Sequence, residues 1–186
     1  MNKNRLICHP QTPCSLISDF FVEIEPDDKG NLHLSYQLIG ALTQIRIPEQ
    51  RSTGFLNGLW EHTCFEAFIA AEPDPAYHEF NFSPSGHYAA YAFDSYRKPS
   101  ANPAHALEPI ITLAKSSARC SLGALVFQAN LPANSNALPF RVGLSAVIEL
   151  LDGSKSYWAL QHPADHPDFH RREGWILSLN CSEFLS

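Results

Sequence analysis

A chain of 186 residues with 45% hydrophobic and 17% charged side chains, among them 12 Phe, 6 Tyr and 3 Trp, can bury a sizeable core, which excludes a disordered chain and an extended coiled coil. Thirteen basic against nineteen acidic side chains leave a net charge of −6, so the surface as a whole exerts no pull on nucleic acid or anionic lipid. One domain covering residues 1–186 is expected.

In chain order, apolar and polar residues alternate in short runs separated by Pro, Gly, Asn and Asp, the period of half-buried strands. Residues 21–25 (FVEIE), the turn PDDKGN, and the returning face Leu32, Leu34, Tyr36 and Leu38 form a hairpin. Gly40 suits a bulge or bend before a strand at 42–47 (LTQIRI), and residues 48–58 are a loop by composition. Further strands are expected at 63–71, 77–83, 88–94, 109–114, 122–131, 140–149, 156–161 and 175–179. The Pro-rich stretch 98–109 reads as a crossover between sheets, and residues 165–173 hold at most a turn or two of helix. About ten short strands with so little helix predict an all-β fold, an antiparallel β-sandwich or jelly roll.

Counting by twos assigns faces. In HEFNFS, His78, Phe80 and Phe82 oppose Glu79, Asn81 and Ser83; in WEHTCFEAFI, Trp60, His62, Cys64, Glu66 and Phe68 share one face. In FRVGLSAVIE, Phe140, Val142, Leu144, Ala146 and Ile148 oppose Arg141, Gly143, Ser145, Val147 and Glu149. Each strand therefore has a core face and a chemically mixed face, which suits a sheet lining a small-molecule cleft and equally suits a face turned to water. Trp60, Tyr88, Tyr91 and Trp158 offer flat surfaces for a sugar ring, or serve as core.

His162, His166 and His170 with Asp165 and Asp168 are metal-ligating types, but Pro163 and Pro167 forbid the continuous helix that would bring residues four apart together. That leaves a loop-borne site or a Pro-stiffened loop with local hydrogen bonds. Glu66 and Glu79 on adjacent strands are the types an acid/base pair requires. No GxSxG, HExxH, Walker or GxGxxG motif occurs. Cys8, Cys14, Cys64, Cys120 and Cys181 contain no CxxC pair, so reduced thiols in a cytoplasmic protein are expected. His9, Pro10 and Pro13 interrupt any secretory apolar segment, and the longest apolar run is the six residues 88–93.

The runs LWEHTCFEAFI, YHEFNFSPSGHYAAYAFDSYR and FRVGLSAVIELLDGSKSYWALQHPADHPDFH, within residues 58–170, resemble the bacterial DOMON-like proteins, relatives of the carbohydrate-binding module family 9-like sandwiches. CFE, EFNFSPSG and HPxxxPDFH carry the likeness. The resemblance implies a β-sandwich with a ligand cleft for sugar or haem, and no reaction. It implies a pocket formed by Trp60, His62, Glu66, Glu79, Asn81, Ser83 and Tyr88, with Trp158 and His162 nearby. Met/His haem ligation has only Met1 to draw on, whereas bis-His ligation by His62 or His78 with His87 or His162 stays open. Calcium, which supports some relatives, would need oxygen ligands that no motif here supplies.

The expected function is non-catalytic binding of a small polar molecule, a carbohydrate or sugar derivative, with no metal, nucleic-acid or membrane partner. The alternatives are a haem-binding redox module and a sugar-processing enzyme using Glu66 and Glu79.

Overall fold

A computed structural model describes residues 3–26, 31–49, 53–101, 110–116, 123–132 and 139–179. The period-two runs form strands, because β-branched and aromatic residues pack well on a pleated surface and Gly and Pro interrupt it. The first strands are β1 (Lys3–Arg5), β2 (Ile7–Cys8), β3 (Ile17–Pro26), β4 (Asn31–Gly40), β5 (Gly54–Phe55), β6 (Cys64–Ala71) and β7 (Tyr77–Phe82). They are followed by β8 (His87–Ser95), β9 (Lys98–Pro99), β10 (Ile110–Ser116), β11 (Gly123–Pro132), β12 (Phe140–Glu149), β13 (Lys155–Ala159) and β14 (Leu177–Leu179).

Two sheets result. The smaller runs β1-β3-β4-β11-β10; the larger runs β2-β13-β12-β6-β7-β8-β5, with β14 beside β12 and β9 beside β8. Ladders are antiparallel except the short β5–β8 pair. The chain passes between the sheets from β9 to β10 and back from β11 to β12, as the expected crossover requires; residues 102–109 of that crossover lie outside the described residues. Gly40 ends β4 where the backbone of Leu16 comes so near that a Cβ would meet its carbonyl oxygen at 2.4 Å.

The core lies between the sheets. Phe20, Val22, Leu34, Tyr36 and Leu38 of the smaller sheet meet Phe65, Phe80, Phe82, Val142, Leu144 and Trp158 of the larger. Phe20 packs edge-on to Phe65 at 6.2 Å, and Tyr36 lies 5.1 Å from the Phe65 ring. The Tyr36 hydroxyl donates to the backbone oxygen of Glu66 at 2.6 Å, which satisfies its polar tip. Each such side chain contributes about 1.5–3 kcal/mol through burial.

The other face of the larger sheet is partly covered by residues 161–175, which form a strap. Trp175 lies flat over Gly143, where a Cβ would stand 2.1 Å from the indole, so only glycine admits it. The indole stacks on Phe68 at 5.6 Å, meets Tyr77 at 5.1 Å and donates Nε1–H to the Phe169 carbonyl at 2.8 Å. A second apolar cluster of Phe68, Ala70, Tyr77 and Trp175 thus forms outside the sandwich core.

Several expectations need correction. Residues 42–47 are not a strand: Leu42–Gln44 form a 3-10 turn, followed by an isolated bridge from Ile45 to Leu150. Trp60 and His62 are not on β6, because Leu59–Glu61 form a 3-10 turn opened by Gly58 at φ 77°. The 165–173 stretch, by contrast, holds no more helix than expected, a single 3-10 turn at its end, Arg172–Gly174. The strands exceed ten because β1, β2, β5 and β9 are two- or three-residue pieces with too few positions to alternate visibly.

Candidate functional site

β6 starts beneath the Leu59–Glu61 turn and ends beneath the strap, and its outward residues Glu66 and Phe68 line a cleft between these covers. The register sets Glu66 opposite Asn81 and Ser145, and Phe68 opposite Glu79, so Glu66 and Glu79 are diagonal neighbours on one face. They form the floor of a cleft of about 420 Å³. Trp60, Tyr91 and Phe93 stand on one side of it, and Val147, Tyr157 and Phe169 on the other. Trp60 meets Tyr91 edge-on at 5.8 Å, and Tyr157 meets Phe169 at 6.1 Å. Tyr157 and Tyr91 stand on β13 and β8, at opposite sides of the β12-β6-β7 floor.

Both floor carboxyls are buried, Glu66 being 3% and Glu79 6% exposed. Asn81 Nδ2 donates to Glu79 Oε1 at 2.8 Å, and Ser145 Oγ to Glu66 Oε2 at 3.4 Å. Among the described residues the one hydrogen bond to the Glu66 carboxyl is that of Ser145, on Oε2. Burial, then the neighbouring Glu79, holds Glu66 well above the usual carboxylate range, with the Ser145 hydrogen bond opposing. Burial pushes Glu79 up to about 7 against the opposing Asn81 hydrogen bond and Arg97 charge.

His170, from the strap, completes the floor. The Tyr77 hydroxyl accepts the Arg97 backbone N–H at 3.2 Å and lies 2.7 Å from His170 Nδ1. Burial pushes the phenol up to about 12, so it keeps its proton at neutral pH. With Nδ1 paired to the phenol, His170 Nε2 faces Glu79 Oε2 at 3.6 Å. Burial, then the charge of Arg97, pushes His170 down to about 4, so it is neutral at pH 7.

The strap is anchored at Asp168. Its carboxylate accepts from the Tyr96 hydroxyl at 2.6 Å, Arg97 at 2.8 Å and the His170 backbone N–H at 3.2 Å, with Arg171 at 3.5 Å. Burial alone would raise its pKa, but the Tyr96 and Arg97 hydrogen bonds outweigh it and hold the group below the usual aspartate range. Arg97 occupies the left-handed region at φ 51°, a conformation that costs a side-chain-bearing residue about 1–2 kcal/mol. It aims the guanidinium across the cleft edge to the strap.

Of the residues expected in the pocket, the structure brings Trp60, Glu66 and Glu79 together, with Asn81 buried beneath them holding Glu79. It does not bring the others there. Tyr88 and Trp158 point into the sandwich core, since Tyr88 pairs with Phe82 and Trp158 with Ala146. His62 bonds Glu149 Oε2 at 2.8 Å and, with Ser83, Ser85 and His87, lines a separate cavity of about 470 Å³ behind the Leu59–Glu61 turn. There Ser85 Oγ lies 2.8 Å from Ser83 Oγ and 3.0 Å from His87 Nδ1. His162 lies 2.8 Å from the Ile7 carbonyl oxygen at the sheet edge. Of the proposed haem ligands, His62, His78, His87 and His162, none lines the cleft. Among the described residues no group of three or more His, Cys, Asp or Glu is arranged to hold a metal, because His162, Asp168 and His170 serve different partners.

Sequence reasoning missed Arg97, Tyr157, Phe169 and His170 as cleft residues. Tyr157 was findable, because it shares the outward parity of Lys155 on β13. Arg97 and the strap residues carry no local signal, since they reach the cleft only by docking.

No family model matches the chain, and no curated protein does. Among solved structures, the chain is similar to a proposed carbohydrate-binding protein from Bacteroides uniformis at 14% identity, with a TM-score of 0.64, covering 94% of this chain and 84% of that one. At that identity the likeness establishes a shared all-β fold. No helix among the described residues is long and apolar enough to cross a membrane.

Proposed function

We propose that this chain is a single-domain, cytoplasmic binding protein of DOMON-like kind that takes a carbohydrate or sugar derivative in the cleft floored by Glu66 and Glu79. One observation carries the reading: two buried carboxyls lie at the bottom of a cavity walled by aromatic rings. Sugar recognition needs those parts, with acceptors for hydroxyl hydrogens and apolar ring faces for the C–H face of a pyranose. The carbohydrate-binding description of the Bacteroides uniformis protein, which has the same fold, supports the same class of ligand. Trp60, 42% exposed, and Tyr157 are the stacking surfaces, and Asn81 is a positioning residue that orients Glu79.

Calorimetric titration with a panel of monosaccharides tests this. A saturable affinity is expected, weakened about tenfold, or about 1.4 kcal/mol, by Trp60→Ala with little change in unfolding midpoint. Absence of binding to every sugar at millimolar concentration would overturn it. A second reading, acid/base chemistry on a glycoside, is favoured by the raised pKa values of both glutamates. It requires turnover of an aryl glycoside that Glu66→Gln abolishes.

A further inference from the structure

The charge on the cleft floor narrows the ligand class, an inference that rests on sugar binding in this cleft. Glu66 and Glu79 are diagonal neighbours on adjacent strands, and among the described residues no Lys or Arg forms an ion pair with either. The nearest basic side chain is His170, whose Nε2 stands 3.6 Å from Glu79 Oε2 and whose ring is neutral. Arg97 lines the cleft, but Asp168 takes its guanidinium at 2.8 Å. Lys155 stands at the far wall on β13, two strands from Glu66, and forms no ion pair with either glutamate. Buried carboxylates without a cation are unfavourable, and among the described residues the other buried acids each have one: Asp168 has Arg97 and Arg171, and Glu149 has Arg46 at 3.1 Å.

A neutral sugar would supply hydroxyl donors but no positive charge to favour the ionised form of either acid. An ammonium group supplies donors and the missing positive charge together. The aromatic walls add to this, because Tyr91, Phe93 and Tyr157 present electron-rich rings around the floor.

We propose that the cleft selects an amine-bearing sugar, with its ammonium seated on Glu66 and Glu79 and its ring held between the Trp60–Tyr91 and Tyr157–Phe169 walls. Glu66, 3% exposed, lining the cleft and hydrogen-bonded among the described residues through Oε2 alone, is the primary counter-ion, and Glu79, oriented by Asn81, is the second. An ammonium seated there pairs with ionised carboxylates, so an acid that is protonated before binding gives its proton to solvent as the ammonium enters.

The test is calorimetry on the full chain at pH 6.5 with glucosamine, glucose and glucuronic acid, each in two buffers of different ionisation enthalpy. Glucosamine is expected to bind at least about tenfold tighter than glucose and to release protons to buffer, while glucose does not. Glucuronic acid should bind weakest. Glu66→Gln and Glu79→Gln should each lower glucosamine affinity by a larger factor than glucose affinity, bringing the two sugars to within about threefold of each other. Equal affinity of wild type for glucose and glucosamine overturns the amine selection and leaves sugar binding standing. Preference for glucuronic acid overturns it in favour of Lys155 and Arg97 as the recognising groups. Binding of none of the three sugars sinks the amine proposal together with the carbohydrate reading.

Discussion

Two acidic regions lie on the same outer sheet face and are built in opposite ways. Asp168 has every oxygen engaged, by Tyr96, Arg97, Arg171 and the His170 backbone, and it ties the strap to the β8–β9 turn. Glu66 and Glu79 have only Ser145, Asn81 and a neutral imidazole. The first carboxylate is ionised and structural. The second pair resists ionisation and faces a cavity. Burial is common to both, so the partner set, not depth, separates an acid that holds the fold from one free to meet a guest.

The sharpest way to break this comparison is to remove the strap that supports both regions. Trp175→Ala deletes the indole stacked on Phe68 and lying over Gly143, and should cost about 3–5 kcal/mol in urea unfolding, with sugar affinity lost because Phe169 and His170 lose their seat. An unchanged unfolding midpoint would show that the strap is not packed as described.

Asp168→Asn should cost about 2 kcal/mol at pH 7, short of a fully buried pair because Arg97 is half exposed. The sign with pH follows from its lowered folded pKa. The carboxylate stabilises the fold above the ordinary aspartate value of about 3.9, and that contribution is lost as pH falls through the lower folded value. The wild-type advantage over the variant should therefore persist at pH 5 and shrink toward pH 3. An advantage independent of pH would assign the effect to packing.

Glu79→Gln should act in the opposite direction and more gently. A folded pKa of about 7 means that the wild type loses stability as pH rises from the unfolded glutamate value of about 4.3 through 7. The variant should match wild type near pH 4 and exceed it by about 1–3 kcal/mol at pH 8. A variant less stable at pH 8 would show that ionised Glu79 already has a favourable partner.

The faces of the strands were legible by counting alone. Glu66, Glu79 and Asn81 fall on one side, and Phe65, Phe80, Phe82 and the even positions of β12 on the other. Counting failed where the chain leaves the strand: the Leu59–Glu61 turn breaks parity, so Trp60 reaches the cleft from a turn, whereas His62 goes to Glu149. The resemblance placed Tyr88 in the pocket, but Tyr88 and Tyr91 have opposite parity on β8, and the register sets Tyr88 against Phe82 in the core and Tyr91 against Glu79 at the cleft.

From its own pattern the chain determines an all-β sandwich, the inward and outward side of most strands and a pair of acids that share a face. These follow from a two-residue repeat, which is a local property of the backbone. Only the folded molecule decided that no Lys or Arg among the described residues pairs with these acids, that Arg97 is claimed by Asp168, and that Phe169 and His170 close over the floor. Those facts depend on strand register and on a strap pinned through Gly143, contacts between residues far apart in sequence that no local repeat encodes.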